Sequence, residues 1–317
     1  MTTLRSAARR PAGRRRGPAP ARARGVAFIL VLWVIAMLSI LLGSFALVAR
    51  TENLQSRHLF DTTQARYAAE AGLNLAVFEL RKADPLARWV ADGRPYTFGY
   101  GDAVLEVRIT DDSGKIDLNA GNNGELLANL FAARGVPVDQ AQALSDAIMD
   151  WRDPDDDTRP NGAEIAQYKA AGLSYGPTNA PFDTVSELQQ VLGMTYALYE
   201  KVEPSLTIYS GRSTPSAAYA SSPETLVAMG CTPEQAQQLI QQRQAVAPAD
   251  MAAAGLLGCD GTSPVMAGGG GLTYSVKSRA KLPNGASTTL DATIRMGGIN
   301  AAGRPYVILR WRDGETS

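Results

Sequence analysis

The sequence predicts an α+β protein. A long N-terminal helix packs on a small antiparallel sheet, and a large all-α domain containing two helical hairpins is inserted into that sheet. Three observations lead there. Residues 26–82 contain no proline and only two glycines, Gly43 and Gly72, so little interrupts a helix. Alternating apolar and polar residues mark strands near residues 96–109 and again after Gly271. Between them, from Ile116 to about Pro248, the periodicity is helical. Strands that precede and follow a helical block are most economically one α+β domain carrying an insertion.

Taken in order, residues 1–25 form a basic leader rich in Arg, Ala, Pro and Gly, a composition that cannot bury a core. Arg5, Arg9, Arg10, Arg14, Arg15, Arg16, Arg22 and Arg24 occur there without a single acid. Residues 26–49 follow without a charge. This run reaches roughly 36 Å as a helix, against a hydrocarbon core of about 30 Å. The apolar core of a secretory signal is shorter, about 7–15 residues. The basic end predicts a cytoplasmic N-terminus and an exported C-terminal bulk, hence a single pass through the lipid bilayer. Residues 50–84 continue the helix as an amphipathic half, with Leu54, Phe60, Tyr67, Leu73, Val77 and Leu80 near helical spacing. Asp84-Pro85 ends it. His58, the only histidine, reads as a solvated or packed side chain.

Residues 85–112 open the β region, with Tyr96, Phe98 and Tyr100 in alternation, then Val104, Val107 and Ile109. Residues 113–270 make up the inserted helical domain. Its first hairpin is "GELLANLFAARG" and "VDQAQALSDAIMDWRD", and "SPETLVAMGCTPEQAQQLIQQRQ" is a weak echo of it. Thr232-Pro233-Glu234 and Ser222-Pro223-Glu224 are both helix starts with a side-chain cap, a proline and an acid. Residues 271–317 return to strands, with an Asn284-Gly285 hairpin turn.

The zero net charge conceals an asymmetry. Without the eight leader arginines, 23 basic residues face 31 acidic ones, a net charge of −8. That argues against a polyanion as main partner and for a cation ligand or a protein partner. Cys231 and Cys259, the only cysteines, lie on the exported side. They are either a disulfide pair or two small buried apolar residues. A catalytic triad would need a histidine, and the only one lies on the long helix. There is no phosphate-cradling loop and no Cys/His zinc set. The chain therefore reads as non-enzymatic.

One acidic segment, "MDWRDPDDDTRPNGAEIAQY", places Asp150, Asp153, Asp155, Asp156, Asp157 and Glu164 on a loop forced by Pro154, Pro160 and Asn161-Gly162. Oxygen ligands on a turning loop suit a hard cation such as Ca²⁺, although an EF-hand frame is missing. The same residues also read as a solvated loop that caps helices.

With these parts in place, the sequence resembles the minor pseudopilin K family of type II secretion systems. "RG" before an apolar helix looks like a type-IV-pilin-like signal, "GKIDLNAGNNGELLANL" looks like the opening of the family's helical domain, and the acidic segment with "TNAPFDTVSEL" resembles its next two motifs. The resemblance implies a type-IV-pilin-like fold cut by the prepilin peptidase after Gly25. Val26 would then be the mature, methylated N-terminus. It implies calcium held by Asp153, Asp155 and Glu164, with Asp150 and Asp157 as neighbours. Ile165 stands where the family often has Asp, which weakens one site or leaves it supplied differently. Leu30 occupies the fifth mature position, where most pilins carry glutamate; its absence is typical of this family. Without that carboxylate the subunit cannot pair with a neighbour's N-terminal amine, and a bulky helical domain would block stacking above it.

The expected role is thus a non-catalytic tip subunit, starting or capping the pseudopilus from the inner membrane with its C-terminal domain in the periplasm. The expected partners are other minor pseudopilins, the major pseudopilin and the inner-membrane secretion platform, with no nucleic acid. The main rival is a membrane-anchored periplasmic DNA-uptake protein that grips phosphate through the helical hairpins. An anchored hydrolase using paired carboxylates of the 150–164 loop ranks behind it.

Overall fold

The computed structural model describes residues 24–247, 250–251, 254–256, 258–259, 261, 265, 270–297, 303 and 305–316. The basic leader falls outside the described residues, as do the side chains of residues 24–26.

Helix α1 runs Arg24–Leu80. Its last turns bury Ala65, Ala68, Ala69, Leu73, Ala76 and Val77 against the sheet. This is not the stripe that the large apolar residues predict, because Leu54, Phe60 and Tyr67 are exposed. The reason is close approach. Gly72 lies against Ser278 and Val107, where any Cβ would collide. An alanine face lets the helix settle on the strands, whereas phenylalanine or tyrosine would hold it off.

The sheet has the order β1-β2-β5-β6-β7 and is antiparallel throughout. β1 (Asp92–Tyr100) and β2 (Ala103–Asp111) precede the insertion; β5 (Thr273–Lys281), β6 (Ser287–Met296) and β7 (Tyr306–Thr316) follow it. Leu105, Val107, Ile109, Val276, Ala280, Ala292 and Ile294 form the inner face under α1. Val104 is exposed, because Leu105 holds the inward position and a strand alternates. The β5–β6 turn is the Asn284-Gly285 step: Gly285 takes φ +93°, and the Asn284 side chain accepts the Ala286 N–H at 3.1 Å.

The insertion leaves and returns through two short strands, β3 (Ile116–Asp117) and β4 (Leu206–Thr207), which pair in parallel. Between them α2 (Gly124–Ala133), α3 (Val138–Arg152), α4 (Ile165–Ala170) and α5 (Tyr196–Val202) enclose a core around Leu130, Phe131, Ile148, Trp151 and Tyr168. The second hairpin is α6 (Pro223–Ala228) and α7 (Pro233–Ala245). Thr232 caps α7 as its sequence predicts, accepting the Gln235 N–H at 3.2 Å. Ser222 does not cap α6; its hydroxyl donates to Glu224 at 2.6 Å instead. The hairpins meet through the Arg134–Glu224 ion pair at 2.9 Å and an Asn129 amide that donates to the Ala228 carbonyl. A disulfide joins Cys231 to Cys259, with their Cα atoms 5.2 Å apart, beside the buried Leu226, Ala236 and Leu239.

Two buried carboxylates tie sheet to insertion. Asp112 accepts Ser275 and Thr207 hydroxyls, each at 2.7 Å, and pairs with Lys115 at 2.9 Å. Asp92 accepts Arg94 Nε at 3.0 Å and Nη2 at 2.9 Å, and pairs with Arg243 of α7 at 3.3 Å. The arginines' remaining N–H groups donate to the carbonyls of Val246, Arg243, Ala217 and Ala220.

Candidate functional site

Two features carry the functional argument. The first is the N-terminal half of α1. Every large apolar side chain from Phe28 to Val48 is at least half exposed, a continuous apolar surface. The helix is long and apolar enough to cross a bilayer and fits a membrane anchor. Leu30 lies on it, 62% exposed. The helix backbone runs through Gly25 and Val26.

The second is the acidic loop after α3. Trp151, Tyr168 and Phe182 pack behind it with ring centroids 6.1 and 6.2 Å apart, a rigid backing. Asp150, in the last turn of α3, is fully buried; Glu164, just before α4, is 3% exposed. Gly162 passes so close to Asp150 that a Cβ would collide with its carboxylate, so only glycine lets the loop close there. Asn161 secures the loop's end by donating N–H and side-chain amide to Asp146, at 3.3 and 3.2 Å.

The structure brings Asp150, Asp153 and Glu164 to one place, but not Asp155 and Asp157, which are exposed. Asp155 accepts the Asp157 N–H at 3.0 Å, a local turn. Asn179, at φ +49°, donates to the Asp155 carbonyl and the Asp156 carboxylate at 3.0 and 2.9 Å. Among the described residues no three Asp, Glu, His or Cys side chains form a ready-made ligand set. The physical reason is Arg159, whose Nη1 pairs with Asp150 at 2.6 Å and also with Asp153. Sequence reasoning missed Arg159, Asp146 and Asn179. Arg159's place between two acid runs was the one available signal.

Arg159 does not satisfy the whole cluster. Both Glu164 carboxylate oxygens and Asp153 Oδ1 are buried without a hydrogen-bond partner. Burial pushes the Glu164 carboxyl up to about 7, and Asp150, Asp153, Asp156 and Asp155 add like-charge repulsion. These buried, unanswered oxygens beside further carboxylates are a concentration of negative charge that the fold leaves uncompensated.

Comparison with known proteins places this loop inside a matched region. Residues 110–211 match the family described as type II secretion system (T2SS), protein K. The type II secretion system protein K of Klebsiella pneumoniae is 28% identical over 204 residues, 58% of this chain. Residues 110–211 of this chain are thus similar to the type II secretion system protein K family. The protein K of Dickeya chrysanthemi is 34% identical over 80 residues, covering 25% of this chain and 22% of that one. The match spans 62% of the Klebsiella relative's length. Among solved structures, the GspK-GspI-GspJ complex of the enterotoxigenic Escherichia coli type 2 secretion system contains a similar chain. It has a TM-score of 0.51 at 18% identity, with 84% of this chain and 99% of that chain covered, which is a likeness of fold. The family's shared region runs from the end of β2 through the acidic loop to just beyond β4.

Proposed function

We propose that this chain is a non-catalytic minor pseudopilin at the tip of a type II secretion pseudopilus. It starts or caps that filament together with other minor pseudopilins and so supports export of folded proteins. The observation that carries the reading is Leu30, an uncharged, exposed side chain on an apolar helix surface. A body subunit needs a carboxylate at that depth to meet a neighbour's amine, because an unpaired charge in hydrocarbon is costly. A subunit without one can still pack its helix laterally. Its helical insertion adds bulk that a subunit stacked above would have to displace. The relative's complex with GspI and GspJ supports two such chains as immediate partners. The major pseudopilin, the inner-membrane platform and the prepilin peptidase complete the proposed set, with the N-terminus cytoplasmic and the C-terminal domain periplasmic.

Leu30→Glu tests this. The variant is expected to lose its restriction to the tip and to reduce secretion, read by co-purification with the minor pseudopilins and by exported-protein titre. Assembly and secretion unchanged in every respect would sink the role given to this position. N-terminal sequencing of the membrane-derived chain tests the processing step, with a start at Val26, methylated, as the expected result.

We further propose that Asp150, Asp153 and Glu164 hold calcium, with Asp155 and Asp157 as adjoining carboxylates. The unanswered oxygens of Glu164 and Asp153 support it. Calcium would supply the missing positive charge and join α3 to α4; Arg159 would have to give way.

A further inference from the structure

The sheet face turned away from α1 carries a row of cations that the fold pairs only in part. On β5, Lys277, Arg279 and Lys281 are exposed and alternate with the buried Val276, Ser278 and Ala280. Arg108 on β2 and Arg310 and Arg312 on β7 extend this basic face. It contrasts with the acidic balance of the chain beyond the leader.

The register makes the pattern costly. Arg108 stands directly opposite Lys277, Lys277 opposite Asp291, and Asp291 opposite Arg312. Like charges directly opposite on one face destabilise a sheet. The single acid of the row is already engaged, since Asp291 takes Arg310 at 3.0 Å and Arg312 at 3.1 Å. Burial pushes its carboxyl up, but the two arginines outweigh this and hold it below the usual range. Arg108 reaches Glu106 at 2.9 Å. Lys277 is the cation that this row leaves without an ion pair among the described residues, and such an unanswered charge is where a ligand is expected.

Above this row lies a cleft of about 730 Å³ between the sheet and the insertion. Arg108, Lys277 and Arg312 line it from the sheet, and Tyr196 and Tyr199 of α5 from the other side. Tyr196, 65% exposed, is the aromatic surface at hand for a bound chain, whereas Trp311 stands opposite Ala292 on the α1 face.

We propose that this cleft docks an acidic segment of a partner protein, whose carboxylates pair with Arg108 and Lys277 while Tyr196 packs on its less polar atoms. Charge complementarity selects the occupant. A bilayer surface is flat and would not reach residues lining a cleft. A nucleic acid would bring evenly spaced phosphates against Asp291, Glu203 and Asp112, which line the same cleft. A peptide can place its carboxylates over Arg108 and Lys277 and leave those acids to the groups that already hold them. The inference stands independently of the tip assignment.

The test uses the full chain in detergent micelles and fluorescence anisotropy. The probe is a fluorescein-labelled 12-residue peptide of alternating Glu and Ser, with its Lys–Ser counterpart as control. The acidic peptide alone is expected to bind. Lys277→Gln should weaken it about fivefold and Arg108→Gln/Lys277→Gln tenfold or more, with Lys169→Gln on α4 neutral. Because Lys277→Gln relieves a like-charge pair, its melting temperature should hold or rise. No binding of the acidic peptide would overturn the proposal. So would an equal loss with Lys169→Gln, or a Lys277→Gln variant that melts lower yet binds unchanged. Tighter binding of a 12-nucleotide single strand, or of phosphatidylglycerol vesicles, would overturn it in favour of a polyanion or membrane surface.

Discussion

Asp92 and Glu164 are both carboxylates almost wholly removed from water, yet they stand in opposite surroundings. Asp92 meets two guanidiniums, and the arginines' other N–H groups reach four backbone carbonyls. Glu164 has no ion pair among the described residues; its N–H donates to Gln167 Oε1 at the start of α4, and the electrostatic neighbours of its carboxylate are acids. Burying a charge costs several kcal/mol unless it is answered. A set whose charges are answered therefore marks a joint of the fold, even though Arg243 Nε itself makes no hydrogen bond among the described residues. An incomplete one marks a place where something must be supplied. In this chain the joint fastens β1 to α7, and the incomplete set lies in the loop between α3 and α4.

The contrast predicts opposite outcomes when each acid is removed. Asp92→Ala leaves two buried arginines without their counter-charge and should cost about 3–5 kcal/mol in denaturant unfolding. A loss within the range of an ordinary surface substitution would break the comparison from the Asp92 side. Calcium should raise the stability of the wild-type chain by about 2.7 kcal/mol at a hundred times its dissociation constant. Calorimetry showing no heat and no thermal shift in wild-type protein would remove the calcium proposal. Glu164→Gln should abolish the calcium effect.

Acidity separates the two further. The Glu164 carboxyl is raised from about 4.5 to about 7 in the fold. Its contribution is therefore fully present below the unfolded value and lost as pH climbs through 7. The calcium-free chain should lose roughly 2 kcal/mol between pH 5 and 8 from this group. Glu164→Gln, which cannot ionise, should show a flatter profile over that window. Parallel profiles for the two proteins would mean that the fold does not burden Glu164 with its charge.

Much of this architecture is legible in the sequence because it rests on local rules. The proline-free run reads as α1, alternation reads as β2 and β5, Asn284-Gly285 reads as a hairpin, and Thr232-Pro233-Glu234 reads as the start of α7. What does not read locally is set by tertiary approach. Weighting large apolar residues points to Phe60 and Tyr67, whereas helix–sheet proximity selects Ala65, Ala69 and Gly72. Arg243 pairs with Asp92 from 151 positions further along, a distance no motif spans. The acidic loop stands between these cases. Its carboxylates and the glycine that closes it are plain in the sequence, but the burial of Asp150 and Glu164 and the exposure of Asp155 and Asp157 depend on how the loop folds back on α3.

Arg159 gives the finest test, because it decides how incomplete the incomplete set is. Its guanidinium pairs with Asp150 and Asp153, and those contacts outweigh its desolvation, holding it more firmly protonated than usual. About a third of the side chain is exposed, so solvent screening limits what the pairs contribute. Asp150, however, is fully buried and would lose its counter-charge, so Arg159→Ala should cost the calcium-free chain more than an exposed pair would, about 3 kcal/mol. In the presence of calcium the order should reverse, since the cation no longer has to displace a guanidinium. The variant should bind calcium more tightly than wild type, read as a larger thermal shift at the same calcium concentration. A smaller shift would mean that Arg159 helps to build the calcium site rather than standing in for the ion.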